Sequence, residues 1–204
     1  MFFKYTEEQL NILKQKNDRV SLIIDEIGLI ERPINTNHFA TLVNQIIGQQ
    51  ISKQASKSIR NKFLETVKEV TPKNIMEIND ETLKSCGLSQ RKVEYIKNLS
   101  FFALENENFF KKINYLSDEE IFNSLIEVKG IGEWTIEMFM IFSLNRLNIL
   151  SYNDLIIKKS LMRIHNLEKM DKKIFLNLKE IYSPYCSILS LYLWELNSRK
   201  DIVF

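Results

Sequence analysis

The stretch VKGIGEWT, Val128 to Thr135, contains two of the chain's five glycines, one residue apart. The sequence on either side has the apolar spacing of helices, with LIEV before the turn and WTIEMFMIFSL after it. A glycine at each flank allows the backbone to turn sharply, to adopt positive φ and to approach another surface closely. The stretch therefore predicts two helices joined by a very short turn, with Ile131 directed back into the core.

The second helix of this hairpin begins directly after Gly132, so its first amides have no carbonyl partner within the helix. Such amides, together with the positive end of the helix dipole, bind phosphate oxygens. A tight helix–helix corner without a ligand is the alternative interpretation, because short glycine motifs also occur by chance. The candidate phosphate contacts are Lys129, Gly130, Gly132 and Thr135, and Thr135 is alternatively a simple cap.

The rest of the chain has the pattern of an all-α protein. Glycine and proline are scarce, apolar residues recur at helical spacing, and no Asn-Gly hairpin signal is present. A long helical stretch from His38 to about Lys68 is predicted to be interrupted near Gly48–Ser52, because glycine weakens a helix. Ser117 with Glu120 three positions on is a predicted capping box.

The composition argues against several classes of site. Of 204 residues 45% are apolar, and 28 basic against 26 acidic side chains give a formal charge of +2, so a polyanion would need a local basic patch. Cys86 and Cys186 stand far apart with no His/Cys cluster, which argues against zinc, a four-cysteine iron–sulfur cluster and a disulfide framework. Because the beginning of the sequence, MFFKYTEEQL, turns charged within a few residues, we expect no signal peptide. No apolar run approaches the roughly 18 residues of a membrane span. We therefore expect an intracellular, cytoplasmic protein that is not bound to a membrane.

Four separated blocks follow the order of a known family. They are VKGIGEWT, the segment HFATLVNQIIGQQISKQASKSI at 38–59, the segment CGLSQRKVEYIKNLS at 86–100, and Asp154, twenty residues after Trp134. Together they resemble the helix-hairpin-helix (HhH-GPD) superfamily of base-excision DNA glycosylases, most closely its 3-methyladenine DNA glycosylase II branch. The resemblance implies damaged double-stranded DNA as the partner and a monomeric protein.

The resemblance also implies the architecture, which is all-α with two helical lobes and a cleft between them. One lobe, residues 41–150, is expected to hold six helices with the hairpin at 128–132. The other is expected to combine residues 1–40 with residues 151–204. The chain is expected to cross between the lobes just before Asp154, and to lack the extra N-terminal β domain of larger members.

The position of Trp134 indicates the type of chemistry. Bifunctional members of the family carry a Schiff-base lysine two residues after the second hairpin glycine, where this sequence has Trp134. An indole cannot attack C1′ of the sugar, so this position offers no covalent lyase step. The four-cysteine iron–sulfur loop of the endonuclease III branch is also absent from the sequence. The expected enzyme is a monofunctional glycosylase that leaves an abasic site and requires no cofactor.

Asp154 is the candidate catalytic carboxylate. Departure of a base builds positive charge on the sugar, and a carboxylate about 4 Å away, at an effective dielectric near 20, would contribute on the order of 4 kcal/mol. That corresponds to roughly three powers of ten in rate, and the same group can orient or deprotonate the attacking water. Asp154 also precedes the helical run LIIKKSLMRIH, so it is alternatively an N-cap, and both roles are compatible.

An alkylated purine is cationic and electron-poor, so a base pocket is expected to contain aromatic rings. Stacking and cation–π attraction contribute about 0.5–2 kcal/mol per ring. The candidates are Trp134, Trp194, Tyr185 and Tyr152, with core packing as the alternative for each, and Met138. Phe39 is assigned to the core. Some relatives carry an aromatic residue where this chain has Met138. A glycosylase for oxidised or deaminated purines therefore stays open, as does a non-enzymatic DNA-binding module.

The segment GQQIS, Gly48–Ser52, matches the wedge loop of the family. Gln50 stands at the position that intercalates into the gap left by a flipped base, with Gln49 and Ser52 beside it as further DNA contacts. A polar residue at a helix kink is the alternative for Gln50. Ser89 is a possible phosphate donor, or simply the cap of the helix that begins at Gln90.

The resemblance further implies that the hairpin can hold a metal ion. Relatives bind a monovalent cation through backbone carbonyls, at positions that correspond to Ile126, Val128 and Ile131. Backbone oxygens suit a hard cation of this kind. No other cofactor is implied.

Overall fold

The computed structural model describes residues 1–199 together with 201 and 202. Within that part the chain forms thirteen α-helices and one short 3-10 helix, and its β-type pairing is limited to an isolated bridge between Phe2 and Pro33. The all-α prediction is confirmed. None of the described helices is long and apolar enough to cross a membrane.

The helices follow one another with short connections. In chain order they are α1 Glu7–Lys14, α2 Asp18–Ile27, α3 His38–Gly48, α4 Lys53–Val67, α5 Pro72–Glu77, α6 Asp80–Ser85, α7 Gln90–Glu105, α8 Glu107–Lys112, α9 Asp118–Ile126, α10 Glu133–Phe142, α11 Leu155–His165, α12 Lys172–Tyr182 and α13 Cys186–Ser198. The 3-10 helix, Ile113–Tyr115, lies between α8 and α9.

Short polar side chains set the beginnings of most helices. Ser117 and Glu120 form the predicted capping box at α9, and Ser89 caps α7 by accepting a hydrogen bond from the Lys92 amide. These side chains satisfy amides that the first turn leaves without a carbonyl partner. The predicted interruption of the long helical stretch is also confirmed, because α3 ends at Gly48 and α4 begins at Lys53.

The chain divides into two compact units, and the first is called here the central unit. It runs from Asn35 to Phe139 and contains α3 to α9 with the beginning of α10. Helix α7 packs against α3, α5 and α6 and contributes the buried side chains of Val93, Ile96 and Leu99. Their spacing places them on one helix face, so the burial of that face holds the unit together.

The second unit, called here the terminal unit, combines Met1–Ile34 with Met140–Phe204. Helix α13 packs against α2, α11 and α12, and its residues from Cys186 to Leu193 are all buried. The Tyr192 hydroxyl donates to the Gly28 carbonyl at 3.0 Å. A helix buried on all sides in this way forms the core of its unit.

Both unit boundaries lie earlier in the chain than the expected 40/41 and 150/151. The first does so because α3 packs as a whole against α4 and α7. The second does so because residues after Met140 bind α13: the Ser187 amide donates to the Leu147 carbonyl at 2.9 Å, and the Ile149 amide donates to the Ser187 hydroxyl at 2.9 Å. The central unit thus holds seven complete α-helices, α3 to α9.

Candidate active site

The turn between α9 and α10 is compact and partly buried. The Ile131 amide donates to the Val128 carbonyl at 3.0 Å, and the side chains of both residues are buried, as expected for Ile131. The Ile136 amide donates to the Gly132 carbonyl at 3.0 Å, so the amides of residues 133–135 lie ahead of this first helical hydrogen bond. The hairpin therefore presents the amino end of α10, which is the end that favours anions.

The two hairpin glycines have different functions. Gly130 has a φ of 104°, and a Cβ there would lie 2.2 Å from Cγ of Tyr95, so only glycine fits. Gly132 does not have a positive φ, and a Cβ there would meet no atom within 4 Å. The expectation of positive φ at both flanks is therefore wrong for Gly132. Its exposed, open surface is what the close approach of another molecule requires.

The connection between α3 and α4, which carries the wedge-loop motif, is tied to the hairpin. Gln49, the C-cap of α3, donates from Nε2 to the Gly130 carbonyl at 3.1 Å. Gln50 is exposed and has a φ of 55°, a left-handed conformation that is uncommon outside glycine and often occurs at functional sites. Ser52 caps α4 by accepting from the Ala55 amide at 3.2 Å. Gln50 is thus the exposed tip, whereas Gln49, predicted as a DNA contact, binds the hairpin.

Asp154 is the N-cap of α11 in the terminal unit. Its Oδ1 accepts hydrogen bonds from the Ile156 and Ile157 amides at 2.9 and 3.0 Å, and its Oδ2 accepts one from Nε1 of Trp194 at 3.3 Å. Only 8% of the residue's surface is exposed. The N–H donors and the positive end of α11 favour a negative charge in this buried position. The predicted cap is confirmed, and it fixes the orientation of the carboxylate.

Trp194 lies on α13 and contacts both Asp154 and a second aromatic residue. Its ring centroid is 5.4 Å from that of Phe142, with an interplanar angle of 34°, and the side chain is half-buried. The indole therefore holds one oxygen of the carboxylate while its ring packs against Phe142, a residue of the same unit. This pairing of Asp154 with Trp194 was not expected from the sequence.

The segments described above lie within the range of a family match. Residues 43–184 match the family described as HhH-GPD superfamily base excision DNA repair protein. This range covers more than half of the chain and includes the wedge loop, the hairpin and Asp154. The chain belongs to the HhH-GPD superfamily.

Individual members of the superfamily are similar to this chain over most of its length. The DNA-3-methyladenine glycosylase 1 of Schizosaccharomyces pombe is 31% identical over 168 residues, which are 80% of this chain and 74% of the relative. A crystal structure of a DNA-3-methyladenine glycosidase from Bacillus halodurans matches with a TM-score of 0.86 and 28% identity, over 96% of this chain and 91% of that one. The S. pombe 3-methyladenine DNA glycosylase Mag1 in complex with abasic DNA matches with a TM-score of 0.79 and 26% identity, over 97% and 100% of the two chains.

The HhH-GPD site residues predicted from α10 differ in exposure. Trp134 is 44% exposed, whereas Met138, one turn later, is buried. Trp134 therefore retains the accessibility that a base contact needs, whereas Met138 lies in the core and is not presented at the surface. Both belong to the central unit.

The two tyrosines predicted for the base pocket lie in the terminal unit. Tyr152 packs edge-on against Phe175, with ring centroids 5.2 Å apart, and Nζ of Lys158 lies 4.5 Å from the centroid of the Tyr152 ring. Tyr185 is half-buried and immediately precedes α13. A lysine thus already occupies one face of the Tyr152 ring, which leaves that face unavailable to a base. Among the predicted pocket residues, Trp194 is the one with a hydrogen bond to Asp154.

Of three predicted phosphate contacts, one is buried and two have structural roles as well. Thr135 is 5% exposed, so its hydroxyl is not presented at the surface. Ser89 is exposed and caps α7, and Lys129 pairs with Glu94 of that helix. The pairing raises the pKa of Lys129 through its hydrogen bond with Glu94. Because the pair is solvent-exposed and weak, the ammonium group remains able to exchange Glu94 for a phosphate.

Proposed function

We propose that this chain is a monofunctional DNA glycosylase that hydrolyses the N-glycosidic bond of alkylated purines of the 3-methyladenine type in duplex DNA. The names of its relatives support this substrate class, and the complex of one of them with abasic DNA supports duplex DNA as the partner. The observation that carries the proposal is Asp154, a buried carboxylate held by two backbone amides and an indole. The reaction is the first step of base excision repair.

Asp154 acts on the charge that forms when the base leaves. The C1′–N bond breaks with its electrons on the base, and the sugar becomes an oxocarbenium ion that a fixed carboxylate stabilises. Water then adds to C1′, and its proton passes to the carboxylate or to solvent. An alkylated purine is already cationic and is a good leaving group, so no strong general acid is required. The target base reaches the site by flipping out of the duplex.

The hairpin and the wedge loop bind the DNA in this proposal. The amino end of α10 and the open surface at Gly132 receive a backbone phosphate, and Lys129 adds a cation. Gln50 fills the space that the flipped base leaves, beside Ser52. Trp134, Trp194 and Tyr185 are the proposed base contacts, and Gly130 and Ser89 are further proposed DNA contacts. The protein is also proposed to act as a monomer in an intracellular, cytoplasmic location.

The turn that binds phosphate is also proposed to hold a monovalent cation. Ile126 ends α9, where the last carbonyls of a helix have no partner within it. The Val128 carbonyl accepts the Ile131 amide and keeps a second lone pair. These oxygens and the carbonyl of Ile131 fit a hard cation, which would stiffen the turn beside the phosphate.

Replacing Trp194 by phenylalanine tests whether the indole positions Asp154. The variant keeps an aromatic ring and loses the N–H that binds Oδ2. Hydrogen bonds to charged groups contribute about 1.5–3 kcal/mol, so we expect kcat for base release to fall at least roughly tenfold with KM nearly unchanged. If stacking on the base were the only role of Trp194, kcat would be retained and KM would change instead.

The absence of a lyase step is tested on a duplex with a single alkylated purine. We expect release of the free base with the strand left intact until alkali is added, because Trp134 offers no amine to attack C1′. Sodium borohydride should trap no covalent protein–DNA adduct, whereas a bifunctional glycosylase treated in parallel should give one. Strand cleavage without alkali, or a trapped adduct, would contradict the monofunctional assignment.

A further inference from the structure

Helix α7 supports both of the segments proposed to face DNA in the central unit. Lys92 donates from Nζ to the carbonyl of Ile47 at 2.8 Å, close to the end of α3 where the wedge loop begins. Tyr95 lies one turn later on the same face of α7, and its ring backs the peptide at Gly130, where even a Cβ would not fit. One rigid helix therefore fixes the base of the wedge loop and the base of the hairpin.

Gln49 joins the two segments beyond α7. Its side-chain amide donates to the carbonyl of Gly130 across 81 positions of sequence. The next residue is Gln50, the exposed tip with left-handed backbone. A left-handed conformation at a residue with a side chain persists only where its surroundings enforce it, and the hydrogen bond of Gln49 is the contact adjacent to it.

We propose that Gln49 is a positioning residue that couples the wedge loop to the hairpin. When the hairpin binds the DNA backbone, the bond from Gln49 to Gly130 fixes the position of the wedge loop and therefore how far Gln50 enters the duplex. The inference rests on the proposed glycosylase function, and it assigns Gln49 to base extrusion rather than to phosphate binding or bond cleavage. Loss of the bond should therefore matter most when a base pair has to be opened.

The coupling is tested with two duplexes that carry the same N7-methylguanine, opposite cytosine in one and opposite an abasic-site analogue in the other. Gln49→Met has a similar length and no donor, and Gln49→Glu places an acceptor against the Gly130 carbonyl. We expect both variants to slow single-turnover release from the paired lesion about tenfold, the effect of one lost hydrogen bond. Release from the unpaired lesion should stay within about twofold of wild type. Gln15→Met, the same change at an exposed residue, should leave both rates unchanged.

A general loss of folding or of chemistry would slow release from the two duplexes equally, and this result would overturn the proposal, as would no slowing on either. A second measurement needs no catalysis. In a duplex that carries 2-aminopurine beside an abasic-site analogue, the 2-aminopurine fluorescence should increase when Gln50 of the wild-type protein enters the duplex. At saturating protein, the increase should be much smaller with Gln49→Met. If wild type releases no base and this fluorescence difference is still found, the alkylpurine assignment fails and the coupling stands. Equal brightening by both proteins would refute the coupling.

Discussion

The Asp154→Asn variant is expected to release alkylated purines roughly a thousandfold more slowly than the wild type. The substitution removes the charge that stabilises the oxocarbenium ion, which is estimated at about 4 kcal/mol. Asparagine is as good an N-cap as aspartate, and its amide oxygen can keep the bonds to the Ile156 and Ile157 amides. Its NH2 group is a donor, so only the bond from Nε1 of Trp194 is given up. The fold and the affinity for duplex DNA should therefore be close to those of wild type, and the loss should appear in the chemical step.

Single-turnover release of the free base, with protein in excess over DNA, measures this effect directly. Asp171→Asn is the matched control, because Asp171 caps α12 through the Ile174 amide at 2.8 Å and is exposed. The control should retain the wild-type rate. A rate for Asp154→Asn within tenfold of wild type would mean that another group stabilises the charged sugar.

The second large effect is expected on stability, from Gly130→Ala. The new methyl group would lie 2.2 Å from the Tyr95 ring, at a backbone φ of 104°. Positive φ at a non-glycine residue and a forced steric contact each cost about 1–3 kcal/mol. The sum is on the order of 3 kcal/mol, which for a chain of this size lowers Tm by roughly 10 °C. Because the same change distorts the hairpin, DNA binding should weaken as well.

Gly132→Ala separates stability from binding. A methyl group there meets no atom within 4 Å and needs no positive φ. The free energy of unfolding of the variant, measured by thermal unfolding, should therefore be within about 0.5 kcal/mol of the wild-type value. Its affinity for DNA should nevertheless fall, because the open surface at Gly132 is proposed to receive a phosphate. If Gly130→Ala were no less stable than Gly132→Ala, this result would contradict the close packing of Gly130 against the Tyr95 ring.

The sequence predicts helix ends and caps correctly where a few neighbouring residues decide the local structure. Ser117 with Glu120 identifies the beginning of α9 because both partners of the capping box lie within one turn. Gly48 marks the end of α3 because glycine weakens a helix. The helical run after Asp154 predicts this residue as an N-cap, because aspartate is a favoured cap. Each of these inferences needs only a few neighbouring residues.

Contacts made by tertiary packing had no comparable signal. Asp154 and Trp194 are 40 positions apart, and Gln49 and Gly130 are 81 positions apart. Which of many polar side chains meet is decided by how helices pack, and one sequence does not contain that information in any local pattern. The boundary between the two units inside α10 also has no local signal, because the apolar sequence of α10 continues across the boundary.

The most direct test of the proposed function is chromatography of the bases freed from methylated duplex DNA. The wild-type protein should liberate 3-methyladenine and leave an equal number of alkali-labile sites, while Asp154→Asn should stay near the rate of spontaneous depurination. A wild-type protein that binds the same DNA and frees no methylated purine would contradict the assignment as an alkylpurine DNA glycosylase.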